Sequence, residues 1–176
     1  MEKIYMEEYL DNIQRYLTER NETVIVYNNK DCVLQGADSL NNEYCNEHGL
    51  VIYKTHGFGG TIVNFKDDIC VGNYQPDFND FGVEFLQSFT EWLKTKGLNA
   101  EMCNNDVLID EKYKVASFMS QYTNGCLYTA IHISVGMDIE VIKSICTKPM
   151  NKIPKGLNEY GITKEIVDEY ILSVIK

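Results

Sequence analysis

Asn124-Gly125 stands between two long runs rich in β-branched and aromatic residues, DVLIDEKYKVASFMSQYT (106–123) and CLYTAIHISV (126–135). An Asn-Gly pair suits both positive-φ positions of a two-residue hairpin turn, whose twist matches that of the strands it joins. The second half of the chain is therefore expected to be built on antiparallel strands. LNAEMC (98–103) precedes the first run, joined to it by a turn at Asn104-Asn105.

Periodicity places the remaining elements around this hairpin. Ile4, Tyr5, Tyr9, Leu10, Ile13, Tyr16 and Leu17 recur at helical spacing and predict an amphipathic helix over 3–19. TVIVYN (23–28) and CVLQG (32–36) read as a hairpin across NNKD, followed by a short helix over 41–46. LVIYKT, TIVNF and DICVG are further strand candidates, and Asn73 to Asn79, with Pro76, reads as a loop. Phe81, Val83, Phe85, Leu86, Phe89, Trp92 and Leu93 mark the longest helix, over 81–96, with Gly97 to end it. A short helix over 139–145, a loop holding Pro149 and Pro154, and a helix over 163–175 capped by Thr163 complete the order; Val167 and Ile171 lie on the inner face of the last. Helices interrupting runs of hairpin-like strands predict an α+β fold, with mainly antiparallel sheet packed against helices.

At 176 residues the chain suits one domain, 1–176. With 16 Lys and Arg against 26 Asp and Glu its formal charge is −10, the wrong sign for gripping nucleic acid phosphates. MEKIYMEEYLDNIQRYL contains neither a signal-peptide core nor a membrane span, so a cytoplasmic protein without membrane attachment is expected. Six scattered cysteines without a CxxC pair read as reduced, partly buried thiols.

Two places can carry chemistry. In His56-Gly57-Phe58-Gly59-Gly60-Thr61, glycines between two strands let backbone N–H groups approach an anion; a tight turn explains the same residues, and the spacing fits neither nucleotide-loop fingerprint. In 104–117, Lys114 enters a strand among apolar residues and is followed by the small Ala116 and Ser117. Over a cleft its ammonium can face a developing negative charge; facing outward it is an ordinary solvated lysine. His132, mid-strand in TAIHISV, is open to both a cleft-facing and a satisfied-sheet reading.

Asn105-Asp106-Val107-Leu108-Ile109-Asp110 with Lys114-Val115-Ala116-Ser117 resembles the segment of lipoate-protein ligases that carries their invariant lysine, and Lys-Val-Ala-Ser is closer still to octanoyltransferases. Met6-Glu7-Glu8-Tyr9-Leu10 resembles the opening helix of that superfamily, and Gly57 to Val63 its Gly-rich loop and strand. Gly125-Cys126-Leu127-Tyr128 through Asp138, and 155–163, resemble its later segments. The resemblance implies the class II synthetase-like core shared by biotin and lipoate ligases, without the ligases' accessory C-terminal domain. It implies transfer of a lipoyl, octanoyl or biotinyl group to a lysine of a lipoyl-type carrier domain, or exchange with an acyl carrier protein, with ATP and Mg²⁺ as possible co-substrates. A noncatalytic relative that binds an acyl cofactor or carrier is the alternative.

Lys114 would then be the central catalytic residue, with His56, Gly57, Gly59, Gly60, Thr61, Asn105, Asp106, Ala116, Ser117 and His132 contacting the ligand. Where the ligases place an arginine before Ser-Gly-Gly-Gly, this chain has His56 and then Phe58, which lack a guanidinium's bidentate fork. Cys146 lies near where octanoyltransferases keep their nucleophilic thiol, two residues out of register and without Pro-Cys-Gly; a buried helix cysteine is the favoured reading of it.

Overall fold

A computed structural model describes residues 2–11, 22–36, 39–54, 60–75, 80–123 and 125–175. Strands β9 (Tyr113–Thr123) and β10 (Cys126–Ile133) pair antiparallel from Thr123↔Cys126 to Ala116↔Ile133, and Gly125 adopts a φ of 73°. This hairpin is the centre of an eight-stranded sheet. On one side of it stand β6 (Ile69–Gln75), β2 (Glu22–Tyr27) and β1 (Glu2–Tyr5); on the other stand β8 (Asp106–Ile109) and β7 (Ala100–Cys103), while β11 (Ile153–Pro154) adds to β9. Pairing is antiparallel except for β1 on β2 and β11 on β9. A second sheet has the order β4 (Val51–Lys54), β3 (Cys32–Gln35), β5 (Ile62–Asn64). The expected mixed, mainly antiparallel α+β architecture is present.

Sheet alternation sorts the core into layers. Ile25, Ile69, Val71, Ile131, Ile133, Val107 and Ile109 face one side and meet Phe85, Leu86, Phe89 and Leu93 of α3 (Phe81–Thr95) and Val167 and Ile171 of α5 (Lys164–Val174). Each such buried side chain contributes about 1.5–3 kcal/mol. Val24, Val26 and Tyr74 face the other side, under Met6 and Tyr9 of the helical residues 6–11 (α1). The small sheet closes over α2 (Asn42–Glu47) and α4 (Ile139–Ile145) through Val33, Val63, Cys45, Ile142 and Ile145. The side chain of Asn41 caps α2 and that of Asp138 caps α4, and Gly97, at φ 82°, follows α3.

Several expectations need correction. Residues 2–5 are strand, not helix: Ile4 alternates inward against β2 while Tyr5 points out, and the period of two prevails. The helix begins at Met6; the part of the expected helix over 12–19 lies outside the described residues. β2 and β3 do not form a hairpin. Asn28 donates to the carbonyls of Phe65 and Asp68, and Asp31 accepts from the Lys66 N–H, so the connection is anchored on the β5–β6 turn and carries the chain from one sheet to the other. Asn73 to Gln75 continue β6, with the Asn73 amide on the Thr23 hydroxyl and Tyr74 fully buried; 76–79 lie outside the described residues. The run 106–123 folds back on itself because Asp110 and Glu111 take φ of 54° and 57°. Thr163 occupies the N-cap position of α5, but its hydroxyl accepts no helix N–H.

Candidate functional site

Between β8 and β9 the register slips: Val107 pairs with Ala116, Leu108 with Lys114, and Val115 is the extra residue. A bulge shifts the alternation of a strand by one. Consecutive Val115 and Ala116 are both buried in the core, whereas Lys114 and Ser117, three apart, both open on the opposite face. In an unbroken strand residues three apart would point to opposite faces. The Lys114 backbone is held from both sides, by β8 and by β11, where the Lys155 N–H donates to the Lys114 carbonyl at 2.9 Å. Lys155 is in turn held between the rings of Tyr113 and Tyr160, 4.5 and 4.6 Å from their centroids.

Lys114 and Ser117 look into a cleft made of two adjoining cavities of about 260 and 390 Å³, which also share Thr61, Ile62, Asp106 and His132. The inner cavity runs over the large sheet toward Met6, Leu34 and Tyr128. Gly72 and Ala130 are cross-strand partners on its floor, and their lack of bulk leaves the channel open. The outer cavity is closed by Met137, Ile142, Cys146, Met150 and Lys152, from α4 and its flanking segments.

The polar groups cluster where the two meet. One Asp106 oxygen lies 3.7 Å from the Lys114 ammonium and the other 2.6 Å from that of Lys152, which also reaches the Cys103 carbonyl at 3.5 Å. The three side chains are 36, 21 and 30% exposed for Lys114, Asp106 and Lys152. The hydrogen bond to Asp106 raises the Lys152 pKa above the ordinary lysine value. On the cleft floor His132 Nε2 lies 3.2 Å from Asp68, a carboxylate with no exposure. Asp68 also accepts the N–H groups of Phe65, Val135 and Gly136, so it fixes both the imidazole and the turn leaving β10. At the inner end the Tyr9 hydroxyl bonds those of Tyr74 and Tyr128 at 2.6 and 2.9 Å; burial pushes the Tyr9 and Tyr128 hydroxyls well above the usual tyrosine pKa.

Of the residues singled out from sequence, the structure brings Gly60, Thr61, Asp106, Lys114, Ser117 and His132 to the cleft, and Cys146 to its outer part. Two do not belong. Ala116 faces the core because of the bulge, and Asn105 sits exposed in the β7–β8 turn, with its carbonyl taken by the Phe118 N–H. His56, Gly57 and Gly59 lie outside the described residues. No disulfide joins the six cysteines. Burial raises the thiols of Cys32, to about 12, and of Cys70, so neither is a thiolate at neutral pH. Asp68 and Lys152 escaped sequence reading: one lies in an ordinary acidic turn, the other in a proline-bounded loop. Among the described residues no helix is long and apolar enough to cross a membrane.

Residues 2–168 match the family model of the lipoyl protein ligase A/B catalytic domain. The chain belongs to this family. A search of curated proteins finds no match. Among solved structures, P. falciparum LipL1 in complex with lipoate superposes with a TM-score of 0.72 at 14% identity, covering 98% of this chain and 60% of that one. This lipoyl protein ligase A/B domain thus spans about 60% of the length of LipL1. Lipoate-protein ligase A bound with ATP gives 0.72 at 15% identity, over 92% of this chain and 74% of that one. Biotin protein ligase from Leishmania major, in complex with biotinyl-5-AMP, gives 0.53 at 11%, over 98 and 70%. At these identities the likeness is one of fold.

Proposed function

We propose that this domain moves a medium-chain acyl group, lipoyl or octanoyl, onto a lysine of a lipoyl-type carrier domain in the cytosol. The observation that carries the reading is the bulge-driven convergence of Lys114 and Ser117 on the polar mouth of an apolar channel. An acyl chain fits along Leu34, Gly72 and Ala130, and its carbonyl then lies near the Lys114 ammonium. The carrier amine attacks that carbon: a C–N bond forms, the bond to the activating group breaks, and the amine gives up a proton. Lys114 stabilises the charge developing on oxygen, and the rigid cleft holds the partners in place. Among the superposed structures, P. falciparum LipL1 holds lipoate, an acyl acid, and the Leishmania major ligase holds biotinyl-5-AMP, an acyl adenylate, in proteins of the same fold. For an adenylate donor, ATP would supply the activating group, and Lys114 and Lys152 are the described cleft cations suited to its phosphate.

A second reading draws on Cys146, which shares the outer cavity with Lys114. In that route the Cys146 sulfur takes the acyl group from a carrier thioester, releasing the carrier thiol, and passes it to the amine.

Intact-mass measurement of a lipoyl domain separates these readings. Lipoate or octanoate with ATP and Mg²⁺ should add one acyl group; gain only from an octanoyl carrier thioester, lost in Cys146→Ser, would select the thiol route. A carrier left unmodified by every donor overturns the enzyme reading in favour of a binding role.

A further inference from the structure

Lys152 lies outside every strand and helix of the core, in the stretch between α4 and β11, yet its ammonium enters the cleft beside that of Lys114. Both cations rest on one carboxylate: Lys152 is 2.6 Å from one Asp106 oxygen and Lys114 is 3.7 Å from the other. In a chain of net charge −10, Lys114, Lys152 and Asp106 together carry two positive charges against one negative. The excess of one, at the mouth of an apolar channel, suits a monoanion with two oxygens on one atom at the end of an apolar tail. Asp106 itself has that form: it presents two such oxygens to the same two ammonium groups.

We propose that Lys152 is a second cation of the donor site, and that with Lys114 it binds the two-oxygen anionic head of an acyl donor, a free carboxylate or the anionic phosphate of an acyl adenylate. This deepens the proposed acyl-transfer function and rests on it. The two ammonium groups bracket the head as they bracket Asp106, and Asp106 keeps them in place while the cleft is empty. A neutral thioester donor offers no such head, and Lys152 would contribute nothing to its binding. The site therefore distinguishes acid-derived donors from thioesters. Lys152 reaches in from the loop side and Lys114 from the sheet side, so the head is held between two elements of different origin.

The test is calorimetric binding to the full chain, comparing wild type with Lys152→Met and Lys152→Arg. The probes are octanoate, its neutral methyl ester, and the hydrolysis-resistant octanoyl-sulfamoyl adenosine, which stands in for the adenylate. Lys152→Met should weaken octanoate, the sulfamoyl adenosine, or both by about tenfold, roughly one charge-assisted contact. It should leave the methyl ester within about twofold, well below that contact, and Lys152→Arg should restore most of the loss. A loss confined to octanoate assigns the site to the free acid; a loss confined to the sulfamoyl adenosine assigns it to the adenylate. Octanoate and sulfamoyl adenosine binding that is unchanged in a folded Lys152→Met protein overturns the inference and leaves the acyl cleft standing, with Lys152 a mere tether of its loop. Equal weakening of ester and anions overturns it as well. If wild type binds none of the three probes, the acyl-cleft reading fails and the inference with it.

Discussion

Replacing Lys114 with methionine is expected to lower carrier acylation by about 10²–10³-fold, the usual loss when one donor to a developing oxyanion is removed. The fold should survive. Lys114 is 36% exposed, methionine keeps the length of its stem, and the Asp106 carboxylate left behind still has Lys152 at 2.6 Å. Single-turnover rates on a lipoyl domain, with circular dichroism as the control for folding, measure the effect. Activity within about threefold of wild type, far from the loss of an oxyanion donor, would remove Lys114 from the chemistry and reduce it to a strand lysine at a cleft edge. Ser117→Ala, on the same face, should cost less, because a neutral hydroxyl stabilises a developing charge less than an ammonium does.

The second large effect is on stability. Asp68→Ala should lower the unfolding free energy by about 3–5 kcal/mol, because each buried donor left without its acceptor costs about 1–3 kcal/mol. Four donors lose their acceptor at once: three backbone N–H groups and His132 Nε2. For a domain of ordinary stability that is a large share of the total. The damage should spread to the site. Asp68 holds the Val135-Gly136 turn, and the carbonyls of Ser134 and Val135 accept the N–H groups of Leu157 and Asn158, just beyond the β11 strand that pins Lys114. Gly156 fits there because a Cβ would stand 2.6 Å from the Val135 carbonyl oxygen. Urea unfolding monitored through Trp92 reads the loss; a change below about 1 kcal/mol would show that these donors find other partners or water.

How much of this was legible depended on how local its cause was. The helix over 81–96 and the Asn124-Gly125 hairpin were readable because periodicity and one turn pair specify them within a short window. The false hairpin of β2 and β3 was not, since what separates those strands is Asn28 reaching the carbonyls of Phe65 and Asp68, nearly forty residues away. The first strand was lost because Ile4 and Tyr5 fit the helical stripe as well as a strand, and parallel pairing with β2 decided between them. At the site, Lys114 and Ser117 were visible as residue types in a family-like segment. Their shared direction was not: it comes from a bulge, which also turned Ala116 away into the core. Asp68 and Lys152 carry no signal of their own, because each gains its role from partners that only the folded chain brings near.

A crystal structure of the protein with octanoate bound shows whether Lys114 stands at the head of an acyl channel. The octanoate chain should lie along Gly72, Ala130 and Leu34, with its carboxylate within hydrogen-bonding distance of Lys114 Nζ. Octanoate bound in this cleft with its carboxylate turned away from Lys114, or bound only elsewhere on the molecule, would contradict it.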